Sequence, residues 1–515
     1  MTTIKDKARS KLNSEIAKKV KNMVEIAKLS SLAEIQYIIF LLHINRIINV
    51  NPDDSPFKNK ALVKLITSVE EESLKYILQL CLKFGKKVYR TKENSIIFNL
   101  DLVKYLIAMG NIVNSNFESY AFIDLFDIEL EGKNERFLKF IFPESKDNSE
   151  LKIYQQYFRR IDNDNDIKKN SKLNHYDLFK LFIKSYEPFS DLFEQSQGYT
   201  LNDYIEFLTL LIDKYSLEIT SKSKNFKYLS DDKIDPTHPE TISVFMKASI
   251  VQKKDILEKF DNSKVDLLLK KLLFQNDQFS EMEFRFHALS RFPLIQISTT
   301  HYLFSPELLL DSLFIDTHYS ILEANQKISE TYKKRASDFF LDQISSITAE
   351  FGFKEEKRDF DLFEGKKNIG DIDLVLFKEN FGYLFIEAKN HSLPLEIYFK
   401  DYQKTKNHLK KLKDGWEKKV KNRITYLNSN AERLGFSNKF SYIIISKSPE
   451  IISHFSDLKI FTIQEFKEWL KFLPSEKSFA EIQTICYQEI KLHPSEMELL
   501  WEEGISPFMA NKPTE

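Results

Sequence analysis

Residues 370–389 read Gly370-Asp-Ile-Asp-Leu-Val-Leu-Phe-Lys-Glu-Asn-Phe-Gly-Tyr-Leu-Phe-Ile-Glu-Ala-Lys389, and their alternation decides how the C-terminal part of the chain folds. A strand has side-chain period two, so Ile372, Leu374 and Leu376 are expected on one face and Asp371 and Asp373 on the other. The polar run Lys378–Gly382 makes a turn, with Gly382 able to take positive φ. A second strand follows over Tyr383–Lys389. In it Leu384, Ile386 and Ala388 point one way, and Phe385, Glu387 and Lys389 the other. Two acids and one lysine therefore converge from adjoining strands. Packing gives an inward strand end no reason to carry Glu-x-Lys, because buried charge is costly unless it is paired or binds a metal. The pattern reads as a metal site.

Gly370-Asp-Ile-Asp373 on one strand and Glu387-Ala-Lys389 on the next resemble the PD-(D/E)xK nuclease superfamily, the fold of many restriction endonucleases. The resemblance covers about residues 330–475. It implies an α/β restriction-endonuclease-like core and a divalent cation, normally Mg²⁺ with Mn²⁺ able to substitute. The ligands it implies are Asp373, Glu387 and the backbone carbonyl of Ala388, with Lys389 orienting or helping to deprotonate the attacking water. Asp373 is taken as the catalytic aspartate and Asp371 as its support; the reverse assignment stays open. The physics agrees with this donor set. Hard cations take carboxylate and carbonyl oxygens, and such an ion both activates water and offsets charge on a phosphodiester.

The flanks extend the resemblance. Upstream, Phe340, Ile344, Ile347 and Phe351 recur at helical spacing over Ser337–Phe351, and Gly352 sits where a glycine would stop the helix. The superfamily usually carries an acid on this helix. Asp342 takes that place, with Asp338 one turn away as the alternative. Downstream, ten basic residues between Lys400 and Arg423 face three acids in a chain whose net charge is −1. Leu409, Leu412, Trp416 and Val420 form the apolar stripe of this helix, so its lysines populate the outer faces. Lys404, Lys410, Lys413 and Lys421 are the expected phosphate contacts. Gln403 resembles a glutamine that many relatives carry here, supporting the site from outside the ligand set. Strands over Ser441–Ile445 and Lys459–Ile463 and a helix over Gln464–Phe472 complete the expected order: helix, three strands, helix, strand, strand, helix.

The remaining chain is glycine-poor. Four glycines lie in residues 1–330, against six between Gly352 and Gly435. Leu/Ile/Phe/Lys-rich sequence with helical periodicity predicts a mainly α-helical N-terminal region, making the whole an α+β multidomain protein. The expected divisions are a helical regulatory or recognition region (1–280), a junction (281–330) containing a β-compatible stretch over Pro293–Phe304, the nuclease-like domain (331–475) and a helical tail (476–515). Expected loops are Asn51–Phe57, Pro143–Glu150, Asp162–Lys172 and Thr220–Thr241, the last a candidate domain junction.

Other chemistry is weakly supported. Asp162, Asp164 and Asp166 begin like a calcium loop, but Ile167 replaces the turn glycine and Leu173 the bidentate glutamate. Cys81 and Cys486 are too few and too far apart to suggest a disulfide framework or zinc site. The most hydrophobic run, Tyr37–Leu42, is too short to span a membrane, so a cytoplasmic location without a membrane partner is expected. The expected function is metal-dependent phosphodiester hydrolysis, with DNA favoured over RNA. A homo-oligomer or protein partner could engage through the N-terminal helices. An inert nuclease-like binding module or helical scaffold is the alternative.

Overall fold

The computed structural model describes residues 3–50, 60–92, 95–125, 127–133, 137–141, 153–154, 156–161, 175–223, 239–282, 284, 288–390, 393–398 and 401–487. The expected loops Asn51–Phe57 and Pro143–Glu150, the acidic run from Asp162 to Asp166, and the tail beyond 487 lie outside them, as does Lys400.

The chain forms two compact units. The first takes in Met1–Phe142 and Ser171–Ser329, and it is helical as expected. Its opening helix, Ile4–Ala27, starts from Thr3, whose hydroxyl accepts from the Asp6 amide in a capping box. Ala8, Leu12, Ile16, Val20, Met23 and Ala27 form its buried stripe. The Pro293–Phe304 stretch supplies strands Ile295–Gln296 and His301–Leu303, which join Ile250–Gln252 in a three-stranded sheet. That places residues 281–329 inside the first unit, so they are not a separate junction. Nor is Thr220–Thr241 a domain junction, since the helices on either side of it, Leu201–Ser223 and Pro239–Ala248, belong to this same unit.

The second unit takes in Pro143–Asn170 and Glu330–Glu489. The contribution of 143–170 is a correction to the expected division. Nothing in its composition announces it; the described part, residues 153–154 and 156–161, is helical and carries buried Tyr154, Tyr157 and Arg160. The elements that position the site are α1 (Gln326–Glu350), β1 (Lys354–Glu364), β2 (Lys367–Lys378), β3 (Gly382–Lys389), α2 (Tyr402–Lys411), α3 (Lys418–Asn430), β4 (Phe440–Ser446), β5 (Ile460–Thr462), α4 (Ile463–Leu470) and α5 (Phe479–Cys486). The expected order of helices and strands is present, and α5 brings part of the expected tail into this unit. The protein is thus α+β.

The five strands lie in the order β5-β4-β3-β2-β1. The first three in sequence pair antiparallel, while β3, β4 and β5 are parallel. One sheet face, with Leu374, Leu376, Leu384, Ile386, Ile443 and Ile445, packs on Phe340, Leu341 and Ile344 of α1 and on Phe466 and Trp469 of α4. On the other, Val375 and Phe385 meet Tyr426 and Leu427 of α3. Ile372 departs from expectation, since it joins Val375 and Phe385 instead of Leu374. The change of face falls between Ile372 and Leu374, opposite Asp359, which has φ +50° between Arg358 (opposite Leu374) and Phe360 (opposite Ile372).

Candidate active site

The β2–β3 ladder runs from Gly382↔Lys378 to Ile386↔Leu374 and then stops. Beyond it the Asp373 carboxylate takes over, accepting the Ala388 amide at 2.5 Å. The carbonyl of the next residue, Lys389, accepts from the Lys447 amide at the far end of β4. Because a strand residue turns its N–H and C=O to the same edge and neighbours alternate, the Ala388 carbonyl lies on the Asp373 side. Asp373 and the Ala388 backbone thereby meet where two strands part, with Glu387 the residue before.

Glu387 is out of water, with a side chain 2% exposed. Lys389 Nζ holds its Oε1 at 2.6 Å, and the Tyr442 hydroxyl donates to Oε2 at 2.8 Å. Arg423 Nη1 closes on the same Oε2. Burial alone would raise Glu387, but Lys389 and Arg423 outweigh it and hold the carboxyl below the usual range. Asp373 goes the other way. Burial pushes it up to about 6; the Ala388 amide opposes the shift and the charge of Glu387 adds to it. Neighbouring carboxylates driven apart in this way are found both at catalytic sites and in structural ion-pair networks.

The oxygen set fits a hard cation. Mg²⁺ is ordinarily held by one or two carboxylates and keeps several waters. Among the described residues no group of three or more His, Cys, Asp or Glu side chains could hold a metal.

Asp371 flanks the pair from outside. Its side chain is 51% exposed, with Oδ1 at 3.6 Å from Arg423 Nη2. This position suits support better than ligation. Asp342 is not brought to the cluster. Its carboxylate is 64% exposed and paired with Arg358 at 2.7 Å, on a helix packed against the sheet face opposite Phe385. Gln403 also stays away, donating to Asn407 at 3.2 Å on the exposed side of α2.

The basic segment is one continuous helical rod running on to Asn430, but Leu412–Glu417 form a π turn between α2 and α3. Such turns rephase a helix and recur at functional sites. This one sets the Trp416 ring 5.7 Å from Lys389 Nζ. Among the expected phosphate contacts, Lys404 and Lys410 are exposed, although Lys404 stands 3.6 Å from Glu396. Lys413 lies 4.9 Å over the Phe455 ring, and Lys421 pairs with Glu417 at 2.8 Å.

Arg423, Tyr442 and the role of Gly370 were not read as site features from the sequence. One signal was available: Arg423 is the single arginine among the ten basic residues from Lys400 to Arg423, and arginine is chosen where a planar fork is needed. No family model, curated protein or solved structure matches the chain. Among the described residues no helix is long and apolar enough to cross a membrane.

Proposed function

We propose that the chain is a divalent-metal-dependent nuclease of the PD-(D/E)xK kind, acting on DNA in preference to RNA. The observation that carries this reading is the meeting of Asp373 and Glu387 at the parting of β2 and β3, with Lys389 hydrogen-bonded to Glu387. Asp373, Glu387 and the Ala388 carbonyl would hold Mg²⁺ or Mn²⁺. When bound, that ion supplies an acidified water and offsets the charge that builds on the phosphodiester.

The chain's own groups do the rest. Lys389, kept near the pair by Glu387 and bordered by Trp416, offers an ammonium to orient the attacking water. Tyr442 fixes the Glu387 carboxylate through a neutral hydroxyl, since burial and the Glu387 charge hold its pKa well above the usual phenol range. Exposed lysines on α2 and α3 track the sugar-phosphate backbone. A large helical unit in the same chain as a nuclease suits restriction or antiphage defence, by analogy of architecture alone.

A second reading has an observation in its favour. Both oxygens of Glu387 are already engaged by cations, as they would be in an inert nuclease-like binding module. Incubating the full chain with duplex DNA, single-stranded DNA and RNA, in Mg²⁺ or Mn²⁺ and in EDTA, separates the two. Metal-dependent cleavage supports the nuclease; binding without cleavage in every metal supports the inert module.

A further inference from the structure

Arg423 already holds a carboxylate that a divalent ion would need. We propose that it is the site's own placeholder: its guanidinium holds Glu387 while no metal is present, and passes to the substrate phosphodiester when a divalent ion binds. This inference rests on the nuclease reading above.

The contacts around Arg423 argue for displacement. A cation arriving between Asp373 and Glu387 meets a fixed positive charge already touching Glu387 Oε2. Two positive charges in contact repel strongly in a partly buried site, so ion and guanidinium compete for Oε2, the oxygen that Lys389 does not hold. Glu387 would keep Lys389 and Tyr442 as partners throughout.

Arg423 is also imperfectly held. Its buried Nε–H has no hydrogen-bond acceptor among the described residues, and Asp371 stands beyond hydrogen-bond distance at 3.6 Å. A buried donor left unpaired favours any state that satisfies it. Nη2 faces Asp371, whose side chain is half-exposed, so the guanidinium already reaches the open edge of the site.

Gly370 makes room for this side chain. A Cβ there would stand 2.3 Å from Arg423 Nε, and the backbone has φ +129°, which side-chain-bearing residues rarely adopt. The glycine that opens the metal motif thus also admits the arginine. Once released, a guanidinium presents a planar fork suited to two phosphate oxygens, which a lysine does not.

The test is Mn²⁺ binding to the full chain without nucleic acid, by calorimetry, for wild type, Arg423→Gln, Arg423→Lys and Glu387→Gln. Removing the competing charge should tighten Mn²⁺ binding on the order of tenfold in Arg423→Gln. Arg423→Lys, too short and compact to span Glu387 and Asp371, should tighten it by a smaller factor, and Glu387→Gln should abolish it. Unchanged or weaker binding by folded Arg423→Gln, with wild-type binding intact, overturns the placeholder and leaves the nuclease reading standing. If Arg423→Gln does not fold, an unchanged affinity in Arg423→Lys overturns it equally. No Mn²⁺ binding by wild type or by either arginine variant overturns both. The transfer to phosphate is read separately, from duplex DNA affinity in non-cleaving Ca²⁺ and in EDTA. Arg423→Gln should weaken binding in Ca²⁺ and not in EDTA; equal affinities of variant and wild type in Ca²⁺ overturn the transfer.

Discussion

Arg160 and Glu465, 305 positions apart, make a two-pronged ion pair wholly out of water, Nε to Oε1 at 2.9 Å and Nη2 to Oε2 at 2.8 Å. Arg160 also donates to Ser453 Oγ at 2.6 Å and lies 5.0 Å over the Phe479 ring. Glu465 accepts further from the Thr462 amide, Gln483 and Tyr487. The pair ties the helical residues 156–161 to β5, α4 and α5.

Deleting one partner strands a buried charge, at a cost of about 3–5 kcal/mol, whereas replacing both by apolar groups costs far less. Arg160→Ala should therefore destabilise the second unit by about that amount, and Arg160→Met with Glu465→Leu should recover most of it. Urea unfolding followed by tryptophan fluorescence measures this, since Trp416 and Trp469 both lie in this unit. The same contacts predict that a fragment beginning at Glu281 fails to fold, because it lacks Tyr154, Tyr157 and Arg160. A soluble, cooperatively melting fragment would show the clamp to be dispensable.

Asp373 should set a pH dependence in the metal-free chain. Its folded pKa, about 6, lies above the ordinary 3.8. Stability is therefore fully present below pH 3.8 and lost as pH rises through about 6, by up to about 3 kcal/mol. In EDTA, Asp373→Asn should match wild type near pH 4 and be the more stable from about pH 6.5 upward. Thermal melts across that window check it, and a gap that closes with rising pH would contradict the burial of this carboxyl.

How far the site was legible follows from which physical signal each residue leaves. Asp373, Glu387 and Lys389 stand at period-two positions on adjoining strands, which the sequence shows; the break in alternation between Ile372 and Leu374, which frees the Asp373 carboxylate to take the Ala388 amide, it does not show. Asp342 fits a helical spacing, but spacing does not say which face of the sheet a helix will cover, and Arg358 claims it. Tyr442 is one more residue in an apolar strand, visible as a site residue only once β3 and β4 pair in register. The division into units failed at 143–170 because the helical period of Tyr154, Tyr157, Phe158 and Ile161 does not say which distant part of the chain that stripe will be buried against. The π turn at Leu412–Glu417 likewise has no local signature beyond Gly415.

The basic rod should reveal itself in salt dependence. Each phosphate neutralised on duplex DNA contributes a slope of about −0.9 in log affinity against log salt. Lys410 is exposed, whereas Lys413 lies on Phe455 and Lys421 on Glu417. Lys410→Gln should flatten the slope by nearly one unit, and Lys421→Gln by less. Filter binding from low to moderate salt measures both. Identical slopes for wild type and Lys410→Gln would return the rod to a solvated surface.

The carboxylate pair is tested most directly by phosphodiester cleavage in Mn²⁺ by wild type, Asp373→Ala, Glu387→Ala and Asp371→Asn, with EDTA as control. Loss of one preorganised electrostatic element of a site costs on the order of 10³-fold in rate. Asp373→Ala and Glu387→Ala should each fall by about that factor, Asp371→Asn by much less, and EDTA should stop cleavage altogether. Cleavage that persists in EDTA, or at wild-type rate in Asp373→Ala and Glu387→Ala, would contradict the metal site at the parting of β2 and β3.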